Sequence, residues 1–119
     1  MPVVGTLAAA MKNTRMRIRR SIEGDAAALL DIWLRSVRAS HHFLSEPDIQ
    51  SLLPVVRDQV LPALDLWILC NGSAPIGFMG VGENSIEALF VAPEYFRRGG
   101  GMLMVEFARH RLSRTHAAV

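Results

Sequence analysis

The chain has 119 residues, half of them hydrophobic, 20% charged and 7% aromatic, which fits one domain around one apolar core and argues against a second domain or a disordered chain. Its net charge of +2 is uneven: residues 1–20 carry five basic side chains and no acid, residues 21–96 carry −7 and residues 97–119 carry +4. That is too weak and broken a basic field for broad nucleic-acid binding, and no apolar stretch reaches the roughly 18 residues of a membrane span.

Residues 1–14 read as an N-terminal extension ahead of a domain over 15–119. The apolar run Val3 to Met11 precedes Lys12 and Arg15, the reverse of a secretory signal, and Met11 and Met16 are both plausible starts. The single cysteine, Cys70, cannot form an intramolecular disulfide, and no Cys/His cluster has zinc-ligand spacing, so no metal is expected. A reducing, cytoplasmic setting is the expectation.

Met16 to Ser21 alternates around Ile18 as a first strand. Glu23 and Asp25 then suit a helix N-terminus, and Ala26, Leu29, Leu30, Trp33 and Val37 form the apolar stripe of a helix ending near Ser40. Ser45-Glu46-Pro47-Asp48 has a capping residue and an early proline, and opens a second helix with Leu52, Leu53, Val56 and Val60 on its stripe. Pro54 is expected to kink or delay that helix, and Pro62 to end it.

Three apolar runs follow, Leu66 to Cys70, Ile76 to Val81 and Ser85 to Ala92, the first closed by Asn71-Gly72. They predict a three-stranded antiparallel meander. After Pro93 and a turn from Tyr95 to Gly101, the residues Met104, Val105, Ala108 and Leu112 mark a last helix. The fold class is therefore α/β (α+β), a mixed and mainly antiparallel sheet with flanking helices in the order β-α-α-β-β-β-α.

The residues that carry chemistry run from Ser85 to Leu103. A strand, Ile86-Glu87-Ala88-Leu89-Phe90-Val91, passes through Ala92-Pro93-Glu94-Tyr95 into Phe96-Arg97-Arg98-Gly99-Gly100-Gly101-Met102 and so into a helix. Glycines let main chain approach a ligand, and the first amides of a helix lack intrahelical partners and carry the positive end of its dipole. Such a place binds phosphate, and Arg97 and Arg98 add forked donors beside it.

This stretch resembles the acetyl-CoA-binding segment of the GNAT superfamily of N-acetyltransferases, in which a strand ending in an apolar-Pro-Glu-Tyr signature meets a Gln/Arg-x-x-Gly-x-Gly/Ala loop. Gly99 and Gly101 hold the loop's glycine positions, while Phe96 stands where the family has Gln or Arg. The resemblance covers about residues 16–113, and the stretch from Ser36 to Leu44 is similar to one bacterial branch with a Thr/Ser-His-x-Phe-Leu element after its first helix. It implies acetyl-CoA as cosubstrate and an amine of a small molecule or protein as acceptor.

By the same resemblance, Leu89, Phe90 and Val91 would pair through their main chain with the pantetheine arm, one of their amides serving as oxyanion donor. Residues Phe96, Arg97, Arg98, Gly99, Gly100, Gly101 and Met102 would enclose the pyrophosphate. Glu87, His41 or His42 would take the proton of the amine.

Typical members continue beyond the last helix with a splayed strand, a further helix that commonly supplies a tyrosine acid, and a closing hairpin, so the resemblance implies a C-terminally truncated domain. A second reading follows, that of a non-catalytic binding or oligomerising module whose last strand, Ser85 to Ala92, pairs with a second copy as a homodimer. Plainer roles stand beside the chemical ones: His41 and His42 as helix-end residues, Glu87 as a solvated acid, Cys70 as a buried inert thiol, and Arg109, His110, Arg111 and Arg114 as a solvated helix end.

Overall fold

The computed structural model describes residues 15–40 and 44–118, the side chains of 111–118 excepted. The expectations for residues 1–14 and for His41 and His42 lie outside the described residues. Strands β1 (Met16–Arg20), β2 (Asp65–Asn71), β3 (Ala74–Val81) and β4 (Ile86–Val91) form one antiparallel sheet in that spatial order. Helices α1 (Ala26–Ser40) and α2 (Glu46–Val55) lie between β1 and β2 in the chain, and α3 (Gly100–Ala118) follows β4. The expected fold class and element order are those observed.

The sheet is covered on both faces. On one, Leu29, Ile32, Trp33 and Val37 of α1 pack with Ile49 of α2 against Ile68, Cys70 and Phe78. On the other, Met104 and Ala108 of α3 pack against Trp67, Leu69, Ile76 and Met79. Adjacent strand residues point to opposite faces, so a central strand of such a sheet is apolar without a break. Phe78 and Met79 are successive and both fully buried.

Local chemistry sets the boundaries. Asp25 accepts the Ile22 N–H at 2.7 Å and shapes a single 3-10 turn, Glu23–Asp25, ahead of α1. Ser45 caps α2, its Oγ accepting the Asp48 N–H at 3.3 Å while Asp48 Oδ2 accepts the Ser45 N–H at 3.3 Å. Between β2 and β3 the pair Asn71 and Ala74 closes a two-residue turn whose Gly72 has φ 63°, a conformation that costs glycine nothing.

Pro54 stands inside α2 without delaying its start, and the regular helix gives way soon afterwards to a π turn, Val56–Val60, before the 3-10 turn Leu61–Ala63 that contains Pro62 and ends the segment. A proline removes the donor that would bond the carbonyl four residues back, and Pro54 is exposed, so its ring meets water instead of the core. The wider turn begins two residues later, at Val56.

Candidate functional site

The Ala92 N–H donates to the Ile76 carbonyl at 2.7 Å, which fixes the phase of main-chain bonding at the end of β4. Donors along a strand alternate between its two edges. The main-chain groups of Leu89 and Val91 therefore point away from β3, toward an edge that carries no strand among the described residues. Phe90 turns its main chain to β3 and offers its ring, which packs on Phe78 with centroids 5.5 Å apart.

Beyond β4 the chain makes a 3-10 turn, Pro93–Tyr95, closed by Tyr95 N–H to the Ala92 carbonyl and Phe96 N–H to the Pro93 carbonyl. Arg97 at φ 62° and Gly99 at φ 90° then reverse the backbone into α3. The Leu103 N–H donates to the Gly99 carbonyl at 3.0 Å, so the amides of Gly100, Gly101 and Met102 precede the first intrahelical donor. Alternating left- and right-handed residues gather successive N–H groups into an anion-binding concavity.

The glycines of this turn do different work. A Cβ on Gly100 would stand 2.7 Å from Leu69 Cδ2, so the absence of a side chain seats the helix start on the sheet. A Cβ on Gly101 would meet nothing within 4 Å, which leaves open space above the helix amides.

These residues share one groove of about 470 Å³. Its lining includes Leu89, Phe90, Val91, Phe96, Arg97, Gly99, Gly100, Gly101 and Met102, nine of the ten residues named above for cofactor contact. The tenth, Arg98, stands outside the lining with its guanidinium over the Tyr95 ring, 5.5 Å from the centroid.

Glu87 is not part of the groove lining. The β3–β4 register shifts between Gly80 and Val81, leaving Glu87 as the extra residue on β4, where its Oε1 accepts the Ser85 hydroxyl at 2.7 Å.

Ser36 and Ser40 of α1 also line the groove, a contribution that sequence reasoning missed. Ser36 is buried, and its carbonyl accepts the Ser40 hydroxyl at 2.7 Å. The available signal was a pair of small polar residues four apart beside the apolar stripe of α1.

Ion pairs frame the groove. Arg35 of α1 donates to both oxygens of Glu94 at 2.7 and 2.8 Å, and its Nε donates to Asp31 at 2.9 Å. The guanidinium holds the Glu94 carboxyl below the usual carboxylate range. Arg38 at the end of α1 donates to Glu46 at the start of α2, at 2.7 and 3.0 Å, and lowers that carboxyl likewise. Tyr95 is held from the other side, its hydroxyl accepting Asn71 Nδ2 at 3.0 Å. Among the described residues no group of three His, Cys, Asp or Glu side chains converges as a metal site, and no helix is long and apolar enough to cross a membrane.

The arrangement can bind an extended chain along a strand edge and an anion at the helix start beside it. The chain is 37% identical over 94 residues to the peptidyl-lysine N-acetyltransferase YjaB of Salmonella typhimurium, an alignment covering 78% of this chain and 64% of that one. It is 30% identical over 95 residues to the peptidyl-lysine N-acetyltransferase YiaC of Escherichia coli, covering 79% and 65%. The solution structure of apo YjaB from Escherichia coli superimposes with a TM-score of 0.71 at 38% identity, covering 78% of this chain and 63% of that one.

The PaiA N-acetyltransferase of Thermoplasma acidophilum, solved in complex with coenzyme A, has the same fold at a TM-score of 0.76 and 17% identity, covering 85% and 74%. No protein-family model matches the chain. The chain spans a little under two thirds of the length of the curated relatives it matches.

Proposed function

We propose, from the premise that this chain belongs to the GNAT superfamily of N-acetyltransferases, that it binds acetyl-CoA along β4 and transfers the acetyl group to an amine. The observation that carries the reading is the continuity of the groove, from the outward amides of Leu89 and Val91 to the open helix start at Gly100 to Met102. The names of the curated relatives favour a lysine side chain of a protein as the acceptor.

The residues fit the cosubstrate by chemistry. Open space above Gly101 admits a pyrophosphate to the helix amides, and Arg97 supplies positive charge from the groove wall. The amide of Leu89 or Val91 donates to the thioester oxygen and stabilises the negative charge that develops there. A neutral amine nitrogen bonds to the carbonyl carbon, the carbon–sulfur bond breaks, and the sulfur leaves as a thiolate that takes up a proton. Glu87, His41 or His42 accepts the proton released by the amine, with water relaying it to Glu87 from outside the groove lining.

Titration calorimetry with acetyl-CoA tests the first half of this reading and thiol release over lysine peptides the second. Saturable heat followed by amine-dependent thiol release is the expected result. Absence of heat at millimolar acetyl-CoA overturns it.

A second reading is favoured by the outer edge of β4, which carries no strand among the described residues and where Leu89 is 38% and nearby Met102 66% exposed. A non-catalytic module that pairs through this edge as a homodimer would bind acetyl-CoA without turnover. Light scattering over a concentration range decides the assembly, a monomeric mass throughout excluding the dimer. Cytoplasmic residence is proposed with either reading, on the free buried Cys70.

A further inference from the structure

Two neighbouring residues of the turn after β4 are gripped from opposite faces of the sheet. Glu94 receives a two-point ion pair from Arg35, on the helix that covers one face. Tyr95 packs with the cluster on the other face, and its hydroxyl accepts from Asn71 at the end of β2. Ala92, two residues before them, is buried and bonded to β3, and Arg97, two residues after, holds a left-handed backbone.

A non-glycine residue keeps such a conformation only when its surroundings over-determine it. Here the determination comes from residues 94 and 95, whose side chains are fixed before the backbone reverses. Arg35 is itself oriented by Asp31 one helical turn away, so its guanidinium is preorganised for Glu94. It does not line the groove.

We infer that Arg35 is a positioning residue for the cofactor groove: through Glu94 it sets the turn from which the amides of Gly100 to Met102 are presented. This rests on the acetyl-CoA reading above. The pair joins positions 59 residues apart, so it ties the helix that forms one groove wall through Ser36 and Ser40 to the loop that forms the other. Loss of the pair frees the loop relative to that wall without removing any group that touches the ligand. A forked guanidinium is required, because an ammonium makes a single point contact and leaves the carboxylate free to swing.

The test is acetyl-CoA titration of wild type, Arg35→Ala, Arg35→Lys, Glu94→Gln and the exchanged pair Arg35→Glu with Glu94→Arg, each with its thermal midpoint. Arg35→Ala and Glu94→Gln are expected to weaken acetyl-CoA binding about fivefold, the size of one well-formed ion pair, with the midpoint lowered by no more than about 4 °C. Arg35→Lys recovers only part of the loss. The exchanged pair sets a carboxylate beside Asp31 one turn away and so recovers part of the affinity, binding more tightly than either Arg35→Ala or Glu94→Gln, which a directly ligating arginine would not allow.

Wild-type affinity in Arg35→Ala or in Glu94→Gln overturns the inference. So does an exchanged pair that melts with wild type and binds no more tightly than Arg35→Ala. A wild-type chain that gives no heat overturns the acetyl-CoA reading and this inference with it, whereas wild-type binding that is unmoved in the variants removes the inference alone.

Discussion

Arg19 of β1 and Asp25, just ahead of α1, face each other through two parallel hydrogen bonds, Nη1 to Oδ2 at 2.8 Å and Nη2 to Oδ1 at 3.0 Å. The Asp25 side chain is only 10% exposed and takes a further bond from the Ile22 N–H, so one carboxylate locks the first strand to the first helix.

The hydrogen bonds from Arg19 hold the Asp25 carboxyl below its usual range, and burial opposes them only in part. A carboxyl lowered by folding stabilises the native state above its unfolded value of about 3.9, and that stabilisation fades as the pH falls through the folded value. Asp25→Asn is expected to cost about 2 kcal/mol at neutral pH, measured by urea denaturation, and the gap between the two proteins should narrow as the pH falls through the lowered carboxyl value. An equal gap at neutral and acid pH would show that the loss comes from packing instead of charge.

Gly101 separates folding from ligand binding. Because a Cβ there meets open space, Gly101→Ala should fold and gain about 0.5 kcal/mol of helix stability. Gly101→Glu should also fold, since an acid suits the first turn of a helix, but its carboxylate competes for the amides and lowers acetyl-CoA affinity by about tenfold or more. Circular dichroism and calorimetry on the two variants check both halves, and undiminished binding by Gly101→Glu would remove the pyrophosphate from this turn.

Pro54 provides a test of local origin. If its missing donor produces the wide turn over Val56–Val60, Pro54→Ala should raise stability by about 1 kcal/mol and increase helical signal in the far ultraviolet. A neutral or lower stability would mean that packing of Val56 and Leu61 imposes the turn.

What could be read from the chain beforehand was what neighbours in sequence decide. Ser45 with Asp48 announced a helix start, Gly72 a tight turn, and the stripe Leu29, Trp33, Val37 a buried face, because caps, turns and helical periodicity act within a few residues. The glycine-rich turn was legible for the same reason, and six of its seven proposed contact residues, Phe96 to Met102, line one groove with the end of β4.

The features that stayed hidden depend on partners brought together by packing. The register shift that makes Glu87 an extra residue arises between two strands. The Arg35 and Glu94 pair spans the chain, and the groove role of Ser36 needs the position of α1 over β4. The wide turn after Pro54 reflects a choice between breaking and stretching a helix, and burial of the residues that follow bears on it.

Arg97 sets two demands of the molecule against each other. Among the described residues it is the single non-glycine with positive φ, a conformation that costs an L-residue about 1 kcal/mol and costs glycine nothing. Arg97→Gly should therefore raise the denaturation midpoint while lowering affinity for acetyl-CoA. The position thus marks where tolerance of mutation and retention of ligand part company: a screen for thermal resistance alone would drift toward glycine there, and only a screen for binding would keep the arginine.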